Sequence, residues 1–126
     1  MSGRRGEYSG RVREAFEHPQ HAGAPDGGHR FEGSAAEGGA GMRIRLFAST
    51  ADGRWSGLRY RVFGCPHLIA AAEFACAHFE GRPVGAALEF PVEEIMTKLD
   101  IPVEKTGRIL LLEDAFRALL RDAERN

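Results

Sequence analysis

Cysteine is scarce in this sequence: Cys65 and Cys76 are the two among 126 residues. A disulfide framework of the kind that staples small secreted domains is therefore excluded. No apolar run reaches membrane-spanning length, and no signal-peptide pattern opens the chain. The expected setting is the cytoplasm, with both thiols reduced and no membrane contact. Excess charge of one sign is also lacking. Lys and Arg number 17 against 18 Asp and Glu, a net charge of −1, which argues against nucleic-acid binding driven by bulk electrostatics. The remainder is ordinary for a globular protein, 43% hydrophobic and 28% charged, at a length that suits a single domain over residues 1–126.

Two stretches are poor in large apolar side chains. Met1 to Gly6 is basic and Gly-rich, and residues 1–7 are expected to be flexible. Ala22 to Gly41 is rich in Gly and Ala, with only Phe31 to anchor it. A mobile loop is expected over 24–41, with a short extended piece at His29 to Gly33. The glycines near Gly38 precede a strand and have no Lys-Ser/Thr after them, so a phosphate cradle is a poor reading.

Periodicity places the other elements. Ser9 can cap a helix running to about Glu17, with Val12, Ala15 and Phe16 inward, and Pro19 ends it. His18 and His21 are three apart, but Pro19 keeps them off a shared helical face, which disfavours a metal site. Met42, Ile44 and Leu46 alternate with Arg43, Arg45 and Phe47 in a strand, and Asp52-Gly53 marks a hairpin into a second strand, Arg54 to Phe63. Arg43, Arg45, Arg59 and Arg61 then share the outer face, as a solvated surface or as a basic docking surface for an acidic partner. Helices are expected from Pro66 to Glu80, Val92 to Leu99 and Thr106 to about Glu124, the last burying Ile109, Leu112, Phe116, Leu119 and Ala123. An antiparallel hairpin between helices makes the fold class α+β.

The strand-to-helix corner carries the chemistry. Gly64 ends the strand and Pro66 opens the helix, so Cys65 sits just before a helix N-terminus. Free N–H groups and the helix dipole there favour a thiolate, able to take a metal or attack sulfur. The alternative is a small buried hydrophobe. His67 is either a second ligand or thiolate partner, or a surface residue of the first turn. Cys76 lies roughly 16 Å along the same helix, too far for a disulfide or shared ion, and reads as core.

Phe63-Gly64-Cys65, three further residues, Ile69-Ala70 within a helix and Gly81-Arg82 at its end resemble the iron–sulfur cluster assembly scaffolds of the IscU / NifU N-terminal type. Three more stretches match in order: Phe16 to Gly23 resembles the "Pro-Arg-Asn-x-Gly" segment, Glu80-Gly81-Arg82-Pro83 the "Lys-Gly-Lys" after the helix, and Ile101-Pro102-Val103-Glu104-Lys105 the "Leu-Pro-Pro-Val-Lys" segment recognised by a dedicated Hsp70-type chaperone. The resemblance spans about residues 8 to 123, with Leu112 to Ala115 in register with the family's last helix. It implies a small antiparallel sheet with helices packed on one side.

The departures fall on the ligands. The family's first Cys belongs to a Cys-Gly-Asp triplet, and the matching region, Glu37 to Met42, has neither Cys nor Asp. Counting back from Glu113-Asp114-Ala115 puts Arg108 at the third Cys and Gly107 at the family's His. Only Cys65 is kept, and one thiolate does not hold a cluster. Val103 and Glu104 also replace a Pro and the Val of the chaperone segment.

The resemblance implies a non-enzymatic, scaffold-like role with a degraded site: Cys65 as sulfur acceptor or metal ligand, His67 beside it, and Arg108 as a fixed charge in the former pocket. The cofactor is iron, zinc, a cluster shared in a homodimer, or none. The partners implied are a cysteine desulfurase and an Hsp70-type chaperone. The alternative is an adaptor or regulator that binds those partners and builds nothing. A thiol enzyme is weaker, since no acyl-transfer signature is present.

Overall fold

A computed structural model describes residues 9–39 and 41–125. The expected flexibility of residues 1–7 lies outside the described residues. Among those described, four helices and one three-stranded antiparallel sheet follow in the order α1 (Gly10–Glu17), β1 (Phe31–Glu37), β2 (Met42–Ala51), β3 (Arg54–Phe63), α2 (Pro66–Phe79), α3 (Val92–Lys98) and α4 (Thr106–Arg125). Single 3-10 turns at Val84–Leu88 and Val103–Lys105 flank α3. This is the α+β class expected from the sequence.

The hairpin forms where its turn chemistry requires. Asp52 and Gly53 both take positive φ, 55° and 75°, the paired left-handed conformation that matches strand twist. The β2–β3 register then shifts between Phe47 and Ser49, and Gly57, at φ 68°, absorbs the extra residue on β3 as a bulge. The N–H groups of Gly57 and Leu58 donate to the Glu80 carboxylate, both at 2.9 Å, so the residue that caps the C-terminus of α2 also satisfies the bulge.

The expected loop over 24–41 is corrected at its centre: Phe31–Glu37 is a regular strand paired with Ala48 through Met42. Its weak strand composition hid it, because its stabilising contacts are distant ones. Gly33 lies against the backbone of α4, where a Cβ would sit 2.3 Å from Leu119 N and 2.6 Å from Ala115 O. The Glu32 N–H donates to Asp122 Oδ2 at 2.9 Å. A strand of small residues lets α4 come this close.

The core lies between the inner sheet face and the helices. Ile44, Leu46 and Tyr60 from the sheet meet Leu68, Ala72 and Cys76 from α2 and Ile109, Leu112 and Phe116 from α4, all buried. The buried alanines of α2, Ala70, Ala71, Ala72 and Ala75, permit close contact on several sides, and the buried stripe of α4 includes all the expected residues except Ala123, which is half-buried.

Candidate functional site

Cys65 sits at the corner that its neighbours build. β3 stops at Phe63, and Gly64 packs so tightly that a Cβ would meet Leu68 Cδ2 at 2.9 Å and Met42 Cγ at 3.4 Å. Cys65 is the N-cap of α2, in extended conformation (φ −83°, ψ 164°), with Pro66 as the first helical residue. Its carbonyl accepts from Leu68 N and Ile69 N, at 3.0 and 3.1 Å, while its side chain makes no capping bond. The thiol is half-buried against the edge of the core, intermediate between the two readings of the sequence.

The other site residues are dispersed in environment. His67, two residues past Cys65, is only 3% exposed and is part of the interior, which corrects the reading of it as a surface residue of the first turn. Arg108 is half-buried in the first turn of α4, a helix that packs on α2, and its Nε is sealed from solvent with no hydrogen-bond partner among the described residues. Cys76 is fully buried as expected, and burial, reinforced by the Glu73 carboxylate, pushes its thiol well above the ordinary range. It therefore remains a protonated thiol. Among the described residues, no three His, Cys, Asp or Glu side chains are grouped to hold a metal ion.

The segment from Ile101 to Lys105 divides between anchor and tip. Ile101 is buried, and its N–H donates to Met96 O at 2.9 Å. Pro102 caps the 3-10 turn, whose first residue, Val103, is 78% exposed. Glu104 is exposed and Lys105 half-buried.

Sequence reasoning missed Glu73. Its carboxylate accepts from the His21 N–H at 3.0 Å, contacts His21 Nδ1 at 2.7 Å and accepts from the Tyr60 hydroxyl at 3.1 Å. Tyr60 in turn pairs with the segment after α1, through Tyr60 N to His21 O and Gly23 N to Tyr60 O, at 3.0 and 2.8 Å. Burial, then the Glu73 charge, holds the Tyr60 phenol above its usual range. His21 is thus a structural partner of α2, while His18 ends α1 in solvent. Glu73 also lines a cleft of about 450 Å³ between α1 and α2, beside Phe74, Gln20 and Leu99. No periodic signal marks it, since it looks like any helical glutamate. Glu73→Ala leaves the Tyr60 hydroxyl and His21 N–H unsatisfied, and the expected loss is about 2 kcal/mol. Chemical denaturation measures it, and faster amide exchange at His21 and Gly23 is expected with it; unchanged exchange there would contradict the anchoring role.

Comparison with known proteins agrees with this geometry. The family model described as "NifU-like N terminal domain" matches residues 7–125. The chain is 28% identical over 120 residues to the iron-sulfur cluster assembly scaffold protein IscU of Azotobacter vinelandii, covering 91% of this chain and 92% of the relative. It is 25% identical over 119 residues to the protein of the same name from Escherichia coli, with the same coverages. Among solved structures, the N-terminal part of a NifU-like protein from Brucella abortus superposes with a TM-score of 0.74 at 12% identity, covering 94% of each chain. A putative scaffold for the SUF system from Fervidobacterium islandicum gives 0.73 at 13% identity, over 95% of this chain and 99% of that one. Those two likenesses concern the fold alone. No helix among the described residues is long and apolar enough to cross a membrane. The sheet, the helix order and the family match over nearly the whole chain place this protein in the NifU-like N-terminal domain family, whose relatives here carry the name of iron–sulfur cluster assembly scaffolds.

Proposed function

We propose that the protein serves iron–sulfur cluster assembly as a single-thiol member of its family, with Cys65 as sulfur acceptor or iron ligand and with no complete cluster site in one chain. The observation that carries this is the contrast between the two cysteines: Cys65 is half-exposed at a helix N-terminus, and Cys76 is sealed in the core. A cluster needs about four ligands, mostly thiolates. One chain offers a single accessible thiol, and a homodimer sharing a cluster would offer two. His67, buried as it is, adds nothing at the surface without rearrangement. A persulfide needs only one thiolate. The Cys65 thiolate attacks the terminal sulfur of a persulfide on a cysteine desulfurase; a new S–S bond forms at Cys65, the old one breaks, and the desulfurase thiolate leaves. No external oxidant or reductant enters. Arg108, which the resemblance puts at a family cysteine, supplies in this reading a fixed positive charge from α4 in place of a ligand. In this reading the protein works in the reducing cytoplasm and is not itself an enzyme.

Incubation with persulfide-loaded desulfurase and intact-mass spectrometry tests the reading. Wild type and Cys76→Ser are expected to gain one sulfur atom, and Cys65→Ser none. Anaerobic reconstitution with iron or zinc then asks whether Cys65 also binds metal. If wild type accepts no sulfur and holds no metal, the thiol role is wrong.

The second reading, an adaptor that binds desulfurase or an Hsp70-type chaperone and builds nothing, is favoured by Val103. A large apolar side chain stands 78% exposed on the segment from Ile101 to Lys105, ready for a partner. Saturable binding of the desulfurase or chaperone with no sulfur transfer supports this reading.

A further inference from the structure

The outer face of the sheet carries a concentration of positive charge, only one arginine of it ion-paired, beside an exposed aromatic ring. Arg43 and Arg45 on β2 point to the same side as their cross-strand partners Phe63 and Arg61 on β3. Arg43, Arg45 and Arg61 are exposed, and Phe63 is 69% exposed. With Val62 they line a shallow concavity of about 320 Å³. Arg45 is paired with Glu32 at 2.6 Å and lies over the Phe47 ring at 5.1 Å. Arg43 and Arg61 have no ion-pair partner among the described residues.

This arrangement opposes stability on two counts. Arg45 and Arg61 are directly opposite each other across the strands, and like charges so placed repel. Phe63 leaves most of its ring in water, one register step from that pair. At the other end of the same face the chain behaves differently: Phe47 is buried, covered by His29 edge-on at 4.8 Å and by Arg45. The protein as a whole is nearly neutral, so the cluster is a local feature and not a consequence of composition.

We propose that this end of the sheet, Arg43, Arg45, Arg61 and Phe63, is a docking surface for an acidic segment of a protein partner that also carries an apolar side chain. Carboxylates meet Arg43 and Arg61 and relieve the repulsion within the cluster, and the apolar side chain covers Phe63. The chemistry favours acidic protein over nucleic acid: the basic area is short, with only Arg59 next along β3, and it ends on an exposed ring that an apolar side chain can cover. The occupant would lie two residues from Cys65 along the chain, but the surface does not depend on the role of that thiol.

Titration of the full chain, by amide chemical shifts, with a synthetic peptide of alternating Glu and Leu tests the proposal; a Lys and Leu peptide and a single-stranded oligonucleotide serve as controls. Shifts are expected to cluster at residues 43–45 and 61–63 with the acidic peptide and to weaken with added salt. Arg43→Glu with Arg61→Glu should weaken binding at least about tenfold, and Phe63→Ser about threefold. Both variants should keep the wild-type far-UV circular dichroism, and the double variant should melt no lower than wild type because it removes like-charge repulsion. Stronger binding of the oligonucleotide, shifts elsewhere, no binding, or acidic-peptide affinity unchanged by the double variant would each overturn the proposal.

Discussion

Gly33→Ala is expected to destabilise the fold by about 3 kcal/mol or more, at the upper end of overpacking losses. The added methyl has nowhere to go. It would stand 2.3 Å from Leu119 N and 2.6 Å from both Ala115 O and Leu119 Cα, all backbone atoms of α4. A flexible side chain could swing aside, but a helix backbone must translate as a unit. Moving α4 off β1 would also separate Glu32 N from Asp122 and loosen Ile109, Leu112 and Phe116, which α4 contributes to the core. A domain of this size has about 5–15 kcal/mol in total, so the loss is a large part of it. Ser34→Ala, one residue along on the exposed outer face, should fall within about 0.5 kcal/mol of wild type. Denaturant midpoints of the two variants decide the matter. Equal midpoints would mean that β1 is not held by α4 as described.

Phe116→Ala should be of similar or greater size, about 4 kcal/mol, by a different mechanism. Phe116 is fully buried and joins two other rings, Phe79 from α2 at 5.1 Å and Phe90, just before α3, at 5.5 Å; Phe79 and Phe90 are 6.0 Å apart. The three rings connect α4, α2 and the chain leading into α3. Truncation removes the largest member of the α4 stripe and leaves a cavity that two rigid rings fill poorly. Phe116→Leu keeps most of the volume and is expected to recover more than half of the loss. If alanine and leucine variants melt together, retained volume does not offset the loss and the cavity account of this position fails.

These two predictions have different histories in the sequence. Phe116 is visible there: it recurs with Ile109, Leu112 and Leu119 at helical spacing, and α4 buries that stripe. Gly33 is not visible. It lies among small residues that carry no strand signal, and its importance arises from a helix surface far along the chain. The same division runs through the site. The corner at Gly64-Cys65-Pro66 is legible from local punctuation, and the structure has Cys65 as the N-cap of α2. Glu73 and the burial of His67 are not, since a helical glutamate and a first-turn histidine look alike whether they face water or the interior.

From the amino-acid order alone follow the α+β class, the hairpin at Asp52-Gly53, the extents of α2 and α4 to within a residue or two, and the strand-to-helix corner at Cys65. Each rests on neighbours within one turn or one strand, where turn chemistry, capping and periodicity act. The tertiary structure alone decided that residues 31–37 join the sheet, that Glu73 ties His21 and Tyr60 together, and that the arginine face ends in an uncovered Phe63. Those depend on contacts such as Glu32 with Asp122, 90 residues apart, which no local pattern encodes because either partner is unremarkable until the fold brings the other to it.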